Sequence, residues 1–270
     1  MLWRLLDSGS CEAAYNMALD EAIAAAVRKG ESTPTLRLYG WNLVSISLGS
    51  FQKISDIDSD FCFAHQIPVV RRPTGGRAIL HGDELTYSFS AKNEGVFAKN
   101  LFETYHAISL AFSEALEKSG LPVTMKLEKE SGAVLTKSPV CFESTSYGEV
   151  SCRGKKLIGS AQKRWEDAFL QQGSIPYSIN YELQRSVFKQ KNKSDSHMIA
   201  IKEILDDWDY DRFKQNVKAA FEKTLGCTLK TETPSRYEEE LAVDLVSKKY
   251  GNQAWTFGEK LSKTMSLARK

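Results

Sequence analysis

The chain has 270 residues, 42% hydrophobic and 26% charged, with 36 Lys+Arg against 34 Asp+Glu. That length suits one large domain, or a domain with a small appendage, and the near balance of charge excludes a global positive field for gripping nucleic acid. No apolar run approaches the ~20 residues of a membrane span and no signal-peptide pattern is present, so a cytoplasmic location is expected, with no membrane partner.

In chain order, residues 11–28 (CEAAYNMALDEAIAAAVR) predict an alanine-rich helix with Tyr15, Leu19, Ala22, Ile23 and Ala26 on one face and Gly30 as its stop. TLRLYGW at 35–41 and LVSISLG at 43–49 read as strands, the second alternating Val44, Ile46 and Leu48 with Ser45 and Ser47. Residues 56–66 suit a short helix, and IPVVRR at 67–72 a buried strand running into a Gly-Gly turn. Strands follow at 78–80 and 86–89. A long amphipathic helix covers 100–119, and Gly120-Leu121-Pro122 ends it. Residues 128–141 are loop-like. Segments 147–152 and 156–162 predict a hairpin turning at Arg153-Gly154, and 169–175 a further strand. The polar stretch 189–196 predicts an exposed loop, with helices after it near 209–225 and 235–250. Together these describe one α/β (α+β) catalytic domain over 1–205, with a helical C-terminal extension of the same domain over 206–270.

Two segments carry candidate chemistry. In RRPTGGRAILHGDELTYSF at 71–89, two glycines without Cβ lie among Arg71, Arg72 and Arg77, with His81 just beyond. Main-chain amides at Gly75-Gly76 can approach a ligand closely, and the arginines suit phosphate or carboxylate; equally, the segment can be a tight turn with solvated charges. It is not a P-loop, since no Gly-Lys-Ser/Thr follows. In the second segment, 138–164, Cys141 falls in a loop after Pro139, while Lys155 and Lys156 open a strand. A thiolate is the reactive form of cysteine and a nearby ammonium favours it, yet most cysteines are small buried hydrophobes. Cys11, Cys62, Cys152 and Cys227 read as packing. His65, His106 and His197 are scattered and show no metal spacing, so no metal is expected.

Taken together, the motifs resemble the lipoate branch of the biotin/lipoate protein ligase superfamily, and within it the LipM-type octanoyltransferases. The residues that carry the resemblance are WRLLDSG at 3–9, YNMALDEA at 15–22, TLRLYGW at 35–41, SLGSFQ at 47–52, the 71–89 segment, Cys141-Phe142-Glu143, GKKLIGSAQKR at 154–164 and LQQGSIPYSIN at 170–180. The resemblance implies a class II synthetase-like mixed sheet flanked by helices. It implies transfer of an octanoyl group from octanoyl-acyl carrier protein to a lysine of a lipoyl domain, such as that of glycine cleavage H protein, with no cofactor. It maps the acyl-thioester nucleophile onto Cys141 and the catalytic lysine onto Lys156. Arg72, Gly75, Gly76, Arg77 and His81, together with Gly159 and Ser160 of the GKKLIGS motif, would bind substrate. An ATP-dependent lipoate–protein ligase is the main rival, disfavoured by Arg77 where such ligases carry a third glycine. An amidotransferase between lipoyl domains and a catalytically silent binding protein are the others. One departure is Gln172, where the family commonly has histidine.

Overall fold

A computed structural model describes residues 1–126, 148–188 and 197–258. The expected loop at 128–141, Cys141 within the 138–164 segment, and the polar stretch 189–196 lie outside those residues.

The first strand, β1 (Leu2–Cys11), leads into helix α1 (Ala13–Lys29). Gly30 ends that helix in the left-handed region at φ 77°, a conformation that glycine adopts without Cβ strain. Strand β2 (Thr35–Trp41) then returns parallel to β1, so β1–α1–β2 is a crossover unit. β2 pairs antiparallel with β6 (Glu84–Lys92), β6 with β11 (Ala168–Pro176), and β11 with β10 (Gly159–Arg164). Strand β12 (Thr228–Thr231) closes the other edge against β1, giving a six-stranded mixed sheet in the order β10-β11-β6-β2-β1-β12. The region 206–270, expected from the sequence to be a helical extension, contributes this edge strand as well as helices.

A second sheet of three strands places β3 (Ser45–Leu48) between β4 (Val69–Arg71) and β5 (Ile79–His81). A third consists of β7 (Val123–Met125), β8 (Val150–Cys152) and β9 (Lys155–Lys156). The β8–β9 hairpin turns at Arg153 (φ 51°) and Gly154 (φ 72°), the two consecutive positive-φ positions of a tight hairpin turn.

Alternation along the strands of the large sheet separates two unlike faces. Trp3, Leu36, Leu38, Tyr87, Phe89 and Phe169 form the apolar face. It is covered by α3 (Leu101–Lys118) and α5 (Tyr210–Leu225) through Ile108, Phe112, Phe213 and Phe221. Aromatic rings meet there at favourable edge geometry, Phe112 and Phe221 at 5.1 Å and 80°. Each such buried side chain contributes about 1.5–3 kcal/mol of transfer free energy. The opposite face carries Arg37, Tyr39, Ser88 and Gln172, all buried beneath α1. Helix α6 (Arg236–Leu245), extended by a π-turn over Val246–Tyr250, packs outside α1, with Ala242 and Tyr250 in its apolar contact. Buried Glu238 of α6 pairs with Arg4 of β1 at 2.7 Å. Two short helices, α2 (Ser59–Ala64) and α4 (Tyr181–Val187), pack together beside β3.

Candidate active site

The Gly-Gly segment follows β4 as a turn braced from inside. Arg72 is buried, and its guanidinium donates to the Gly75 and Arg77 carbonyls, both at 2.7 Å, and to the Ser47 carbonyl at 2.9 Å. Its described hydrogen bonds brace the turn and β3. Gly76 holds φ 81°. Ser50 donates its main-chain N–H to the Thr74 carbonyl at 2.9 Å, which fastens the SLGSFQ loop to the turn. At Gly49 a Cβ would lie 1.9 Å from the Gly76 oxygen, so only glycine permits this approach. Gly75 and Arg77 are partly exposed and Gly76 is exposed, which leaves the outer rim of the turn accessible.

His81, at the end of β5, is buried and held on three sides. Its ring stacks on Trp41 with centroids 3.9 Å apart, Nε2 lies 2.7 Å from Ser47 Oγ, and Nδ1 lies 2.8 Å from Glu84 Oε1. Burial works against an ionised Glu84. His81, Thr86 and Ser174 outweigh it, however, and hold the carboxyl below the usual carboxylate range. Trp41 is fixed in turn by donation from its indole to Thr86 at 2.8 Å.

Beneath α1 sits a single buried carboxylate with four donors. Asp20 accepts from Arg37 at 2.7 Å and Ser88 at 2.6 Å on one oxygen, and from Tyr39 at 2.8 Å and Gln172 at 2.6 Å on the other. Burial, reinforced by the Asp20 charge, raises the Tyr39 pKa far above its ordinary value, so the phenol remains a donor. Gln172 also accepts from Thr74 at 2.8 Å, linking Asp20 to the glycine turn. Since a carboxylate only accepts, the amide N–H must face Asp20, and that fixes the carbonyl toward Thr74.

Lys156 is buried on β9, whereas its neighbour Lys155 is partly exposed, as alternation across a hairpin strand requires. Its Nζ pairs with buried Glu149, and its main chain is clamped by the His197 carbonyl and the Ile199 N–H at 2.8 and 3.0 Å. Gly159, opposite Ser174 on β11, shares the polar face of the large sheet with Gln172. Ser160 points to the other face, where its hydroxyl bonds Tyr87 at 2.8 Å, because strand alternation separates it from Gly159 and Ala161.

Two cavities meet at these groups. A small, mostly apolar recess is lined by Met17, Tyr39, Trp41, Ile79, His81 and Gln172, among others. A larger one of about 240 Å³ shares Ile79 and His81 with it and extends past Asp83, Leu183 and Met198. Met198 bridges to Lys156 through the main chain, so the lysine strand backs the larger cavity. Among the described residues no cluster of His, Cys, Asp and Glu could hold a metal, and no helix is long and apolar enough to cross a membrane. Cys62, Cys152 and Cys227 are buried. Burial raises the Cys152 thiol pKa and pushes that of Cys227 up to about 11, which suits packing and not nucleophilic attack.

Residues 12–222 match the family described as the lipoyl protein ligase A/B catalytic domain. The chain belongs to that family. Its relatives named Octanoyltransferase LipM include one from Exiguobacterium sp. AT1b, 36% identical across 94% of this chain and 98% of that one. Another, from Geobacillus kaustophilus, is 35% identical across 95% and 98%. Two solved structures share the fold. A lipoate-protein ligase A bound with ATP matches with a TM-score of 0.82 at 22% identity, covering 96% of this chain and 99% of that one. The lipoate protein ligase of an archaeal lipoylation system, from Thermoplasma acidophilum, matches with a TM-score of 0.79 at 23% identity, covering 96% and 97%. The mixed sheet flanked by helices is thus the lipoate-ligase architecture.

Within this lipoyl ligase fold the structure brings Arg72, Gly75, Gly76, His81 and Gly159 around the polar sheet face and sets Ser160 apart. Sequence reasoning passed over Asp20, Arg37, Glu84 and Glu149. One signal was available for the first two. Asn16 and Asp20 are four residues apart in an alanine-rich helix, while Arg37 shares strand parity with Tyr39, which places both pairs on faces that must be buried.

Proposed function

We propose that this lipoyl ligase family member is an octanoyltransferase that moves an octanoyl group from octanoyl-acyl carrier protein to a lysine of a lipoyl domain, such as that of glycine cleavage H protein. The observation that carries this reading is the similarity, over nearly the whole of both chains, to relatives named Octanoyltransferase LipM. The small recess between Met17, Tyr39, Trp41 and Ile79, at about 20 Å³, has room for little more than one water, so it offers an acyl group an apolar wall beside His81 and not a full pocket.

Cys141 is the proposed nucleophile. Its thiolate attacks the donor thioester, a new Cys141–acyl bond forms, and the carrier thiol leaves with the proton. The acceptor amine then attacks the acyl-enzyme, forming the amide and releasing the Cys141 thiol. The thioester bond energy is retained through the first step, so the sequence needs no ATP. Lys156 acts as the cation that favours the thiolate and helps position the carbonyl and the incoming amine. Gly75 and Gly76 amides and Arg77 accommodate the thioester and its arm. The larger cavity, sharing Ile79 and His81 with the recess, gives a second reactant its own approach to the same centre.

The test supplies octanoyl-acyl carrier protein and H protein without ATP and follows intact mass. The expected result is a hydroxylamine-sensitive octanoyl adduct on the enzyme, absent in Cys141→Ala, followed by an octanoylated H protein. Strict dependence on ATP and free octanoate would replace this reading with a ligase.

A further inference from the structure

The last described helix, α7 (Gln253–Phe257), is tied to the glycine turn through one side chain. Arg71 ends β4, and its guanidinium donates to main-chain carbonyls in two separate segments. In the 49–52 loop it reaches Gly49 at 2.8 Å and Gln52 at 2.7 Å. In α7 it reaches Trp255 at 3.2 Å and Thr256 at 2.8 Å. Trp255 answers by donating its indole N–H to the Arg71 carbonyl at 2.9 Å. A planar guanidinium with five diverging N–H groups can span carbonyls on two sides, which a lysine ammonium at a single point does not.

The loop on the near side of Arg71 is the one that bears on the turn. Ser50 holds the Thr74 carbonyl, and Gly49 touches the Gly76 oxygen with no room for a Cβ. A displacement of Gly49 therefore transfers directly to Gly76, because close-packed groups in contact have no slack to absorb it. The other end of the strap is anchored as well. Lys249 and Tyr250, just before α7, both bond Glu21 of α1, next to the Asp20 carboxylate.

We propose that α7 is a positioning element for the acyl-binding turn, acting through Arg71 on the 49–52 loop and so on Thr74–Gly76. The proposal rests on the reading that this turn faces the acyl donor, and it gives the C-terminal segment a role beyond packing. Trp255→Phe removes one donor and keeps a smaller aromatic ring; Arg71→Lys keeps the charge and loses the fork.

The test is hydrogen–deuterium exchange on the full-length chain, read peptide by peptide, together with steady-state transfer kinetics. In both variants, the amides of Ser50, which donates to Thr74, and of Arg72, which donates to Leu48, are expected to exchange about tenfold faster, the scale of one lost hydrogen bond, while β6 and β11 keep their protection. Transfer is expected to lose kcat more than it changes KM. Unchanged exchange at Ser50 and Arg72, or an equal rise in β6 and β11, would overturn the positioning role and leave α7 as ordinary packing. The exchange measurement needs no substrate. Absence of transfer by the wild-type chain would therefore defeat the functional reading separately, without altering the exchange result.

Discussion

The two faces of the six-stranded sheet are built from the same strands by the same alternation, yet they are held by different physics. On one side Leu36, Leu38, Tyr87 and Phe89 lie under α3 and α5, and the stabilisation is non-directional burial. On the other, Arg37, Tyr39, Ser88 and Gln172 converge on Asp20, and the stabilisation depends on every donor finding its acceptor. The apolar face tolerates approximate shape. The polar face does not, and it is the one that carries the glycine turn, His81 and the recess. Non-directional burial and directional bonding are thus divided between the two sides of one sheet, and the candidate site lies on the directional side.

That division can be broken most forcefully at Arg37. Arg37→Leu leaves the Asp20 carboxylate buried without its cation and is expected to cost about 3–5 kcal/mol in denaturant unfolding; a loss under about 1 kcal/mol would show that the pair is not the anchor of the face. Gln172→Leu keeps bulk but leaves Thr74 and Asp20 each one bond short. A loss of about 1–3 kcal/mol is expected, accompanied by a fall in kcat, because Thr74 belongs to the turn. The apolar face should respond differently. Phe89→Leu is expected to lower stability by about 1–2 kcal/mol with kcat per folded molecule unchanged; a matching fall in kcat would mean that the faces are not separable.

The smallest effect belongs to pH. Glu84 has its folded carboxyl held below the ordinary value of 4.5, so its contribution is present above that value and is lost as pH falls through the folded one. Glu84→Gln should therefore flatten the acid limb of the stability–pH curve below about pH 4.5 and leave its neutral part parallel to wild type.

Much of the apolar face was legible. The helix expected at 100–119 is α3 at Leu101–Lys118, and the strand expected at 169–175 is β11 at Ala168–Pro176. Strand β1 escaped notice because Arg4 interrupts its apolar run, and only the structure reveals Glu238 waiting for that arginine from 234 residues away. Strand β12 escaped because an edge strand with Leu229 as its sole buried residue has almost no pattern to read. In β3 the Ile46/Ser47 alternation marks a strand but no solvent face, since all four residues are buried and Ser47 lies against His81. The site divides in the same way. Glycines, His81 and Lys156 stand out as motifs, whereas Asp20, Arg37 and Glu149 look like ordinary surface charges until tertiary packing buries them.

Asp20 also has a consequence for how the strands find one another. Arg37, Ser88 and Gln172 come from three neighbouring strands, and a slip of one residue in any pairing sends the donor to the opposite side. A slipped hydrophobic strand still finds grease to bury itself in. A slipped donor leaves a carboxylate stranded beneath α1, so the charge works as a proofreader of strand register, discarding misaligned sheets that burial alone would accept.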